Sequence, residues 1–494
     1  MEAARGAAHK TAWLNWDLGF LRSLVRSAGV GWSVLFVAVG LVYELQLYGD
    51  GSIFSYAIAT QETWAFHWHN IPNRLFVHLL THVPAETYVW LSGDAGGAIA
   101  IYGLLFFGAP LIGLAATYAA DRSEGRVIFT FACLSTACLC PLVLGCPTET
   151  WIAHSAFWPA VAILLFARCD ALGTGAVFLS LLALAFSHEA GLVLAASILT
   201  PLLLRGQRSF AFLRAAVAFL VVLGVWVAVR VLLPPDAYYA SIVGRAAFLF
   251  MDVAALAQNP MLLLLAAVAA YLVLAAALRR IAPDLAHVLP IAIVAVGLAV
   301  YWLAFDSSMH AENRYTFRTA LFAATAPLGI LAGVLAQSAG RRSDPCPPRL
   351  VHLLALIGRH APSGTAAGAV MLIALVHAVE TAKYVSAWTD YKAAVRALAM
   401  GSLSDPRLGD PGFVSSQRIG RDLQALSWFS TTPYLSVLVA PRFQPRRLVV
   451  DPNDGYYWLS CETAAAHHQG NRAIPRESRR LVRVYSCLHR PPVR

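Results

Sequence analysis

Long apolar stretches separated by short polar segments run through most of this chain. Each stretch is roughly twenty residues long, the length that a helix needs to cross the hydrocarbon core of a bilayer. Because backbone groups in lipid must be hydrogen-bonded within their own segment, these stretches are predicted to be α-helices. The pattern predicts eleven spans, at about 29–48, 97–118, 127–146, 151–167, 172–187, 189–204, 212–233, 260–278, 286–304, 319–338 and 365–384.

The connection between the first two spans, residues 49–96, is far longer than a simple turn. Its segments 53–66 and 74–91 are aromatic and amphipathic, with Pro72 between them. Such segments are predicted to be helices that lie in or on the membrane interface.

The tail, residues 385–494, has a different pattern. It begins as an amphipathic helix and continues with short β-like runs separated by turn residues. Those runs are predicted at 434–440, 447–451, 456–461 and 480–487. The chain is therefore predicted to be an all-α polytopic membrane domain, residues 1–384, followed by a small α+β domain, residues 385–494.

Composition supports the membrane class. Hydrophobic residues make up 58% of the chain, charged residues make up 13%, and the mean hydropathy is +0.62. A soluble domain is about a quarter charged. High alanine, arginine and glycine content indicates a bacterial source and therefore the cytoplasmic membrane. A polar stretch precedes the first apolar run, so that run is predicted to be an anchor and not a cleaved signal.

The distribution of Lys and Arg predicts the orientation. With the N-terminus inside, sixteen of these residues fall in inside segments before residue 383, and only Arg74, Arg230, Arg245, Arg314 and Arg318 fall outside. Positive charge concentrates in cytoplasmic connections. The N-terminus is therefore predicted to be cytoplasmic and the tail extracytoplasmic, where Cys461 and Cys487 could form a disulfide. The net charge of +10 follows from this topology and does not indicate nucleic-acid binding.

Polar side chains recur where spans end on the outer side. Ionisable groups near lipid are costly, and they usually pair or line a cavity. Several at one depth predict one polar, outward-facing pocket, although interfacial residues can also simply meet headgroups and water. The candidates are Glu44, Asp50, His67, His69, Arg74, Glu149, His188, Glu189, His310, Asn313, Arg314 and Arg318.

Asp50 is the candidate catalytic residue. It follows the first span directly and lies between Gly49 and Gly51, which allow close approach of a ligand. A carboxylate there could act as a general base on a hydroxyl group. The alternative is a turn aspartate, since Asp-Gly often marks a turn.

Arg314 and Arg318 are spaced to share one helix face at the start of a span. The planar arginine head group suits phosphate, although arginines at helix ends also extend towards lipid headgroups without further function. The histidines at 67, 69, 78 and 82 lack companion zinc ligands, so no metal site is predicted.

This layout resembles the GT-C superfamily of integral-membrane glycosyltransferases. The shared features are many spans, a long first outer connection, an acidic residue just after the first span and an exported tail. Where many members carry paired acidic residues, this chain has Asp50 followed by Gly51. The resemblance implies an inverting enzyme with Asp50 as its base and Arg314 or Arg318 at the donor phosphate.

The resemblance also implies the substrates. The donor would be a polyprenyl-phosphate-linked sugar, and the acceptor a glycan, lipid or protein on the non-cytoplasmic face. No cofactor is implied, and a divalent cation is not indicated. Two alternatives stay open: a lipid or glycan transporter, and a non-catalytic subunit of an envelope assembly machine.

Overall fold

The structure, a computed structural model, describes residues 2–59, 61, 63, 74–145, 148–205, 209–233, 259–282, 285–286, 288–306, 317–339, 363–401, 412–427 and 431–450. Five candidate residues lie outside the described residues: His67, His69, His310, Asn313 and Arg314. Also outside are Pro72, Cys461, Cys487 and the runs at 456–461 and 480–487.

The described residues are mostly helical. Their helices are α1 (Glu2–Val42), α2 (Asp50–Ala59), α3 (Leu75–Val77, a π-turn at His78–His82, then Val83–Ser92), α4 (Ala95–Ala120), α5 (Val127–Val143), α6 (Glu149–Phe166), α7 (Ala171–Ala185), α8 (Gly191–Arg205), α9 (Phe210–Leu232), α10 (Asn259–Ile281), α11 (Val288–Val300, continued by a π-turn at Tyr301–Phe305), α12 (Arg318–Ala339), α13 (Ser363–Met400) and α14 (Thr432–Leu438). Each predicted span overlaps one of them.

Eight of the described helices contain segments long and apolar enough to cross a membrane, and α5, α7 and α8 are shorter apolar helices. Helices α9, α10 and α11 bury the smallest parts of their apolar surface against the protein. Exposed apolar surface on this scale needs lipid around it. The chain is therefore an all-α, multi-pass membrane protein.

The first span ends earlier than predicted. Helix α1 stops at Val42, and its apolar segment is Gly19–Val42 instead of 29–48. Glu44 follows with a left-handed backbone (φ 55°), which an α-helix cannot continue through. The side chain of Glu44 is 52% exposed and forms an ion pair with Lys392 of α13. Glu44 thus lies beyond the span, not inside it.

Helix α2 is packed inside the protein, whereas the sequence pattern predicted an interfacial helix. Seven of its ten residues are buried, and it packs against α4 and α14. After Asp50 this helix carries no charged residue, and the hydroxyls of Ser52 and Ser55 donate to backbone carbonyls inside the protein, so it has no charged face to turn towards water. The next segment, α3, is nearer to the prediction, because Trp90 near its end is 72% exposed.

The tail begins as predicted, since α13 continues to Met400 without interruption. The predicted strand at 434–440 is wrong, because Thr432–Leu438 is a helix with Pro433 in its first turn. Every residue of that helix is buried. A short, continuous apolar run is compatible with either a buried strand or a buried helix, so periodicity could not separate them.

Two strands form a small parallel pair in the tail. Strand β2, Leu448–Val450, lies in the predicted run 447–451, and it pairs with β1, Phe413–Ser415, which was not predicted. All residues of both strands are buried.

The two ends of the helix bundle carry different contacts. We call the end at which α1 finishes the upper end and the opposite end the lower end. At the lower end, arginine side chains connect helix ends by hydrogen bonds. Arg26 donates to the Thr130 hydroxyl, Arg214 to the Ala167 carbonyl and Arg279 to the Thr365 hydroxyl. These residues belong to segments that were predicted to share one side of the membrane.

Close helix contacts depend on small residues. Helices α4 and α6 pack along each other, and Gly113 of α4 lies against the backbone of Ser155. A Cβ atom added at Gly113 would lie 2.3 Å from the Ser155 carbonyl oxygen. Small residues allow membrane helices to approach in this way.

The Gly113→Ala variant is therefore expected to be less stable than the parent by about 1–3 kcal/mol, because the added methyl group forces α4 and α6 apart. Thermal unfolding in detergent measures the effect. Gly108→Ala in the same helix is the control, since an added Cβ there meets nothing within 4 Å. Equal unfolding temperatures for the two variants would contradict the packing explanation.

Candidate functional site

A charged cluster at the upper end is centred on Arg74. This residue precedes α3, and the amide of Phe76 donates to the carbonyl of Phe186 at 3.1 Å, which attaches the start of α3 to the α7–α8 connection. Arg74 Nη1 lies 2.9 Å from Glu149 Oε1. Its Nε and Nη2 donate to the two carboxylate oxygens of Glu189, at 3.3 and 3.1 Å.

Three elements supply this cluster. Glu149 is the first residue of α6, and Glu189 lies in the turn between α7 and α8. Arg74 therefore links three connections that are separated in sequence by up to 115 residues. A two-pronged arginine–carboxylate pair fixes both distance and orientation. The cluster defines how α3, α6 and the α7–α8 turn meet.

Attraction between opposite charges at short range explains why these groups stay charged in a partly buried site. Burial would lower the pKa of Arg74, but the charges of Glu149 and Glu189 raise it above its ordinary value. Burial would likewise raise the pKa of Glu189, but Arg74 outweighs that effect and lowers it to about 2. Both groups are thus charged at neutral pH. Because two carboxylates occupy Arg74, this residue is better suited to holding the site together than to binding phosphate.

His188 lies beside the cluster in its neutral form. Burial lowers the pKa of His188 to about 3, against the opposing effect of Glu189. Its Nδ1 accepts a hydrogen bond from the amide of Ala190 at 3.1 Å, which leaves the ring proton on Nε2. The ring also packs on Phe322 of α12, with centroids 5.3 Å apart.

Arg318 is the first residue of α12 and joins this neighbourhood. It is partly buried, and its charge acts on the His188 ring. The ring of Phe322, one helical turn further along α12, packs on the same histidine. Arg318 therefore lies on the side of the cluster formed by the α7–α8 turn.

Acidification is expected to destabilise the protein below about pH 6.5. The pKa of His188 falls to about 3 on folding, so the unfolded chain takes up the proton first and stability is lost as pH decreases. Glu189 adds to the loss only below about pH 4.5, as the pH approaches its folded pKa of about 2. The contribution is about 1.4 kcal/mol per pH unit for each such histidine.

Thermal unfolding of the parent and of His188→Gln between pH 8 and 5 measures this effect. The variant should lose less stability on acidification than the parent. Some loss should remain, because burial also lowers the pKa of His78 to about 4. Parallel pH profiles for the two proteins would mean that His188 is not buried as described.

Asp50 begins α2 and is partly buried. Tyr48, two residues earlier, packs its ring on Tyr384 of α13 at 5.9 Å. The hydroxyl of Tyr384 donates to the carbonyl of Gly145, which is four residues before Glu149. Asp50 thus lies at the same end of the bundle as the Arg74 cluster. Glu44, in contrast, points to Lys392.

A second polar network was missed by the sequence analysis. Trp302 donates to Glu380 Oε1 at 2.9 Å, Lys383 lies 4.0 Å from the same oxygen, and Lys383 also forms an ion pair with Asp306. Glu380 and Asp306 are almost fully buried. The sequence did contain a signal for this network, namely two ionisable residues, Glu380 and Lys383, inside the predicted span 365–384. Ionisable residues within spans usually have a function.

Histidines and cysteines do not build a metal centre in the described part of the chain, where no three His, Cys, Asp or Glu residues group suitably. His78 and His82 stack with ring centroids 5.7 Å apart in the π-turn of α3. Cys133 and Cys140 are buried and unpaired among helices.

No known protein family matches this chain, and neither does any curated protein or any solved structure.

Proposed function

We propose that this chain is a membrane glycosyltransferase of the GT-C type. It transfers a sugar from a polyprenyl-phosphate donor to a glycan, lipid or protein acceptor. In this proposal it lies in a bacterial cytoplasmic membrane, with eleven spans, its N-terminus in the cytoplasm and its α+β tail outside.

One observation carries the proposal: polar side chains from separate connections collect at the upper end of a multi-pass bundle. They are Asp50 after α1, Arg74 before α3, Glu149 at the start of α6, His188 and Glu189 between α7 and α8, and Arg318 at the start of α12. Buried charge in a membrane protein is costly, and such concentrations are typical of functional sites.

The roles follow from the chemistry of the side chains. Asp50 takes the proton from the acceptor hydroxyl as its oxygen attacks C1 of the sugar, and the bond from C1 to the phosphate oxygen breaks. Arg318 stabilises the negative charge on the departing polyprenyl phosphate, with Arg314 as a second candidate. A single displacement inverts the configuration at C1. His188 presents its Nε2 proton to the sugar or the phosphate.

Arg74, Glu149 and Glu189 have a different role in this proposal. Because Arg74 pairs with both carboxylates, the three side chains hold Arg318 and His188 in position relative to α3 and α6. Preorganised groups on rigid elements need no reorganisation when charge develops in the transition state.

Loss of the Arg318 charge is expected to weaken donor binding. Arg318→Gln should raise the KM for a polyprenyl-phosphate-linked sugar about 10- to 100-fold, since hydrogen bonds to charged groups contribute about 1.5–3 kcal/mol. The assay follows a labelled donor with purified protein in nanodiscs and envelope extract as acceptor. Arg122→Gln is the control, because Arg122 is an exposed arginine in the α4–α5 connection, at the lower end.

Two results would contradict the proposal. One is that the purified protein transfers no sugar from the donor to any acceptor fraction, and that mass spectrometry finds the same surface glycans in a deletion strain and its parent. The other is an Arg318→Gln protein that is saturated by the donor at the same concentration as the parent.

A second candidate function, movement of a lipid across the membrane, is favoured by the network of Trp302, Asp306, Glu380 and Lys383. Transporters place ionisable residues within their spans. The two functions differ in outcome: a transporter moves a labelled lipid between leaflets of a proteoliposome without changing it, whereas a transferase consumes it.

A further inference from the structure

A groove of about 500 Å³ opens at the upper end, between the end of α1, the first half of α4 and the tail. Its volume is in the usual range of ligand-binding sites, about 300–1,000 Å³. Most of its wall is apolar, and includes Leu41, Leu47, Ile99, Ala100, Leu104 and Leu438. The groove therefore suits a hydrocarbon chain.

Gln46 places one polar group in this wall. The residue is 4% exposed, and its Oε1 atom has no hydrogen-bond partner among the described residues. A buried amide without a partner costs about 1–3 kcal/mol. A ligand that brings a hydrogen-bonding group to Gln46 would remove this cost, which a purely apolar ligand cannot do.

The position of the groove distinguishes it from ordinary lipid-facing surface. Leu41 and Leu104 belong to membrane-spanning segments, while Leu438 and Phe443 belong to the tail. The apolar wall thus continues from the bilayer into the part of the protein above it. Glu44, which pairs with Lys392, also lines the groove and adds a charged group near Gln46.

We propose that this groove binds the acceptor, and that the acceptor is a membrane amphiphile. Its hydrocarbon chain lies along α1 and α4, and its hydroxyl-bearing head group lies at Gln46. This inference rests on the proposed transferase function and names the acceptor class that the proposal left open.

The neighbouring contacts favour the acceptor over the donor. Gln46 is four residues before Asp50, and the hydroxyl of Ser55 in α2 donates to the Gln46 carbonyl at 3.5 Å. Arg318 lies elsewhere, because α12 packs against α5, α6 and α8, whereas the groove is formed by α1 and α4. Two lipids can therefore approach from different sides, with Asp50 near the groove.

Photo-crosslinking tests the inference directly. The probe is a C16 fatty alcohol with a diazirine in its chain, added to the full-length protein in nanodiscs, and labelled peptides are mapped by mass spectrometry. Labelling should concentrate on peptides that contain residues 41–47 and 99–104. Ala100→Trp, which fills the groove, should reduce that labelling at least fivefold. Leu220→Trp on the lipid-exposed face of α9 should leave it unchanged.

Further variants separate the parts of the inference. Gln46→Leu should weaken labelling by the alcohol more than labelling by the matching C16 hydrocarbon. Arg318→Gln should reduce crosslinking of a diazirine-labelled polyprenyl phosphate but not of the alcohol. If the groove binds the donor instead, Ala100→Trp will block the polyprenyl phosphate probe.

Several results would overturn the inference. Uniform labelling of all lipid-exposed helices would show ordinary bilayer contact, and labelling that persists in Ala100→Trp would exclude the groove. Because these readouts measure binding, they do not depend on transfer activity. Groove-specific labelling with no sugar transfer would refute the transferase and leave a lipid site, whereas transfer with no groove labelling would refute only the inference.

Discussion

Asp50→Asn is expected to lower sugar transfer by at least about 100-fold while leaving the protein folded. The substitution keeps the size of the side chain but removes the basic oxygen that would accept the proton of the acceptor hydroxyl. General-base catalysis typically contributes 10²–10⁴-fold. Initial rates at saturating donor and acceptor, measured on detergent-purified protein with matched elution profiles, give the ratio.

Asp390→Asn is the matched control for this experiment. Asp390 is an exposed aspartate in the upper half of α13, so its loss changes the charge of the same end of the protein without touching the site. It should transfer sugar at the parental rate. Unchanged transfer by Asp50→Asn would remove Asp50 as the base, even if the protein proved to be a transferase.

Arg74→Leu is expected to destabilise the protein by about 3–5 kcal/mol. The change leaves the buried Glu149 and the partly buried Glu189 without the guanidinium that pairs with both. A typical domain is stable by only about 5–15 kcal/mol, so much of the protein should aggregate or unfold in detergent. Elution profiles and thermal unfolding measure the loss.

Removing the two carboxylates should reverse part of this effect. In Arg74→Leu combined with Glu149→Gln and Glu189→Gln, no unpaired buried charge remains, so the unfolding temperature should rise above that of Arg74→Leu alone. Arg74→Lys should be intermediate, because an ammonium group keeps the charge but cannot donate along two fixed directions. A triple variant less stable than Arg74→Leu would contradict the charge explanation.

The neutral state of His188 and the charge of Glu189 are properties that sequence could only suggest. His188 and Glu189 were both candidates from the sequence, but Arg74, which pairs with Glu189, is more than a hundred residues away in the chain. The pairing of Arg74 with Glu189 depends on how α3 packs on the α7–α8 turn. The hydrogen bond from Phe76 to Phe186 that sets this docking involves only backbone atoms and leaves no mark in the side-chain sequence.

The buried state of α2 was also beyond the sequence pattern. Aromatic and apolar residues next to a span suit both a membrane interface and a protein interior. The deciding partner is α14 in the tail, where Thr431 accepts a hydrogen bond from the Ser52 hydroxyl across 379 residues. The apolar run that forms α14 was predicted as a strand, so this contact between two helices could not be predicted.

By itself, the sequence determined the membrane class and the approximate positions of the apolar helices. These properties depend on the length and hydropathy of continuous segments, which lipid imposes one segment at a time. Only the tertiary structure decided that Arg74 is held by Glu149 and Glu189, that Glu44 pairs with Lys392, and that α2 is inside the protein. Those outcomes depend on which distant segments pack together, and contacts between residues far apart in the chain leave no local periodicity.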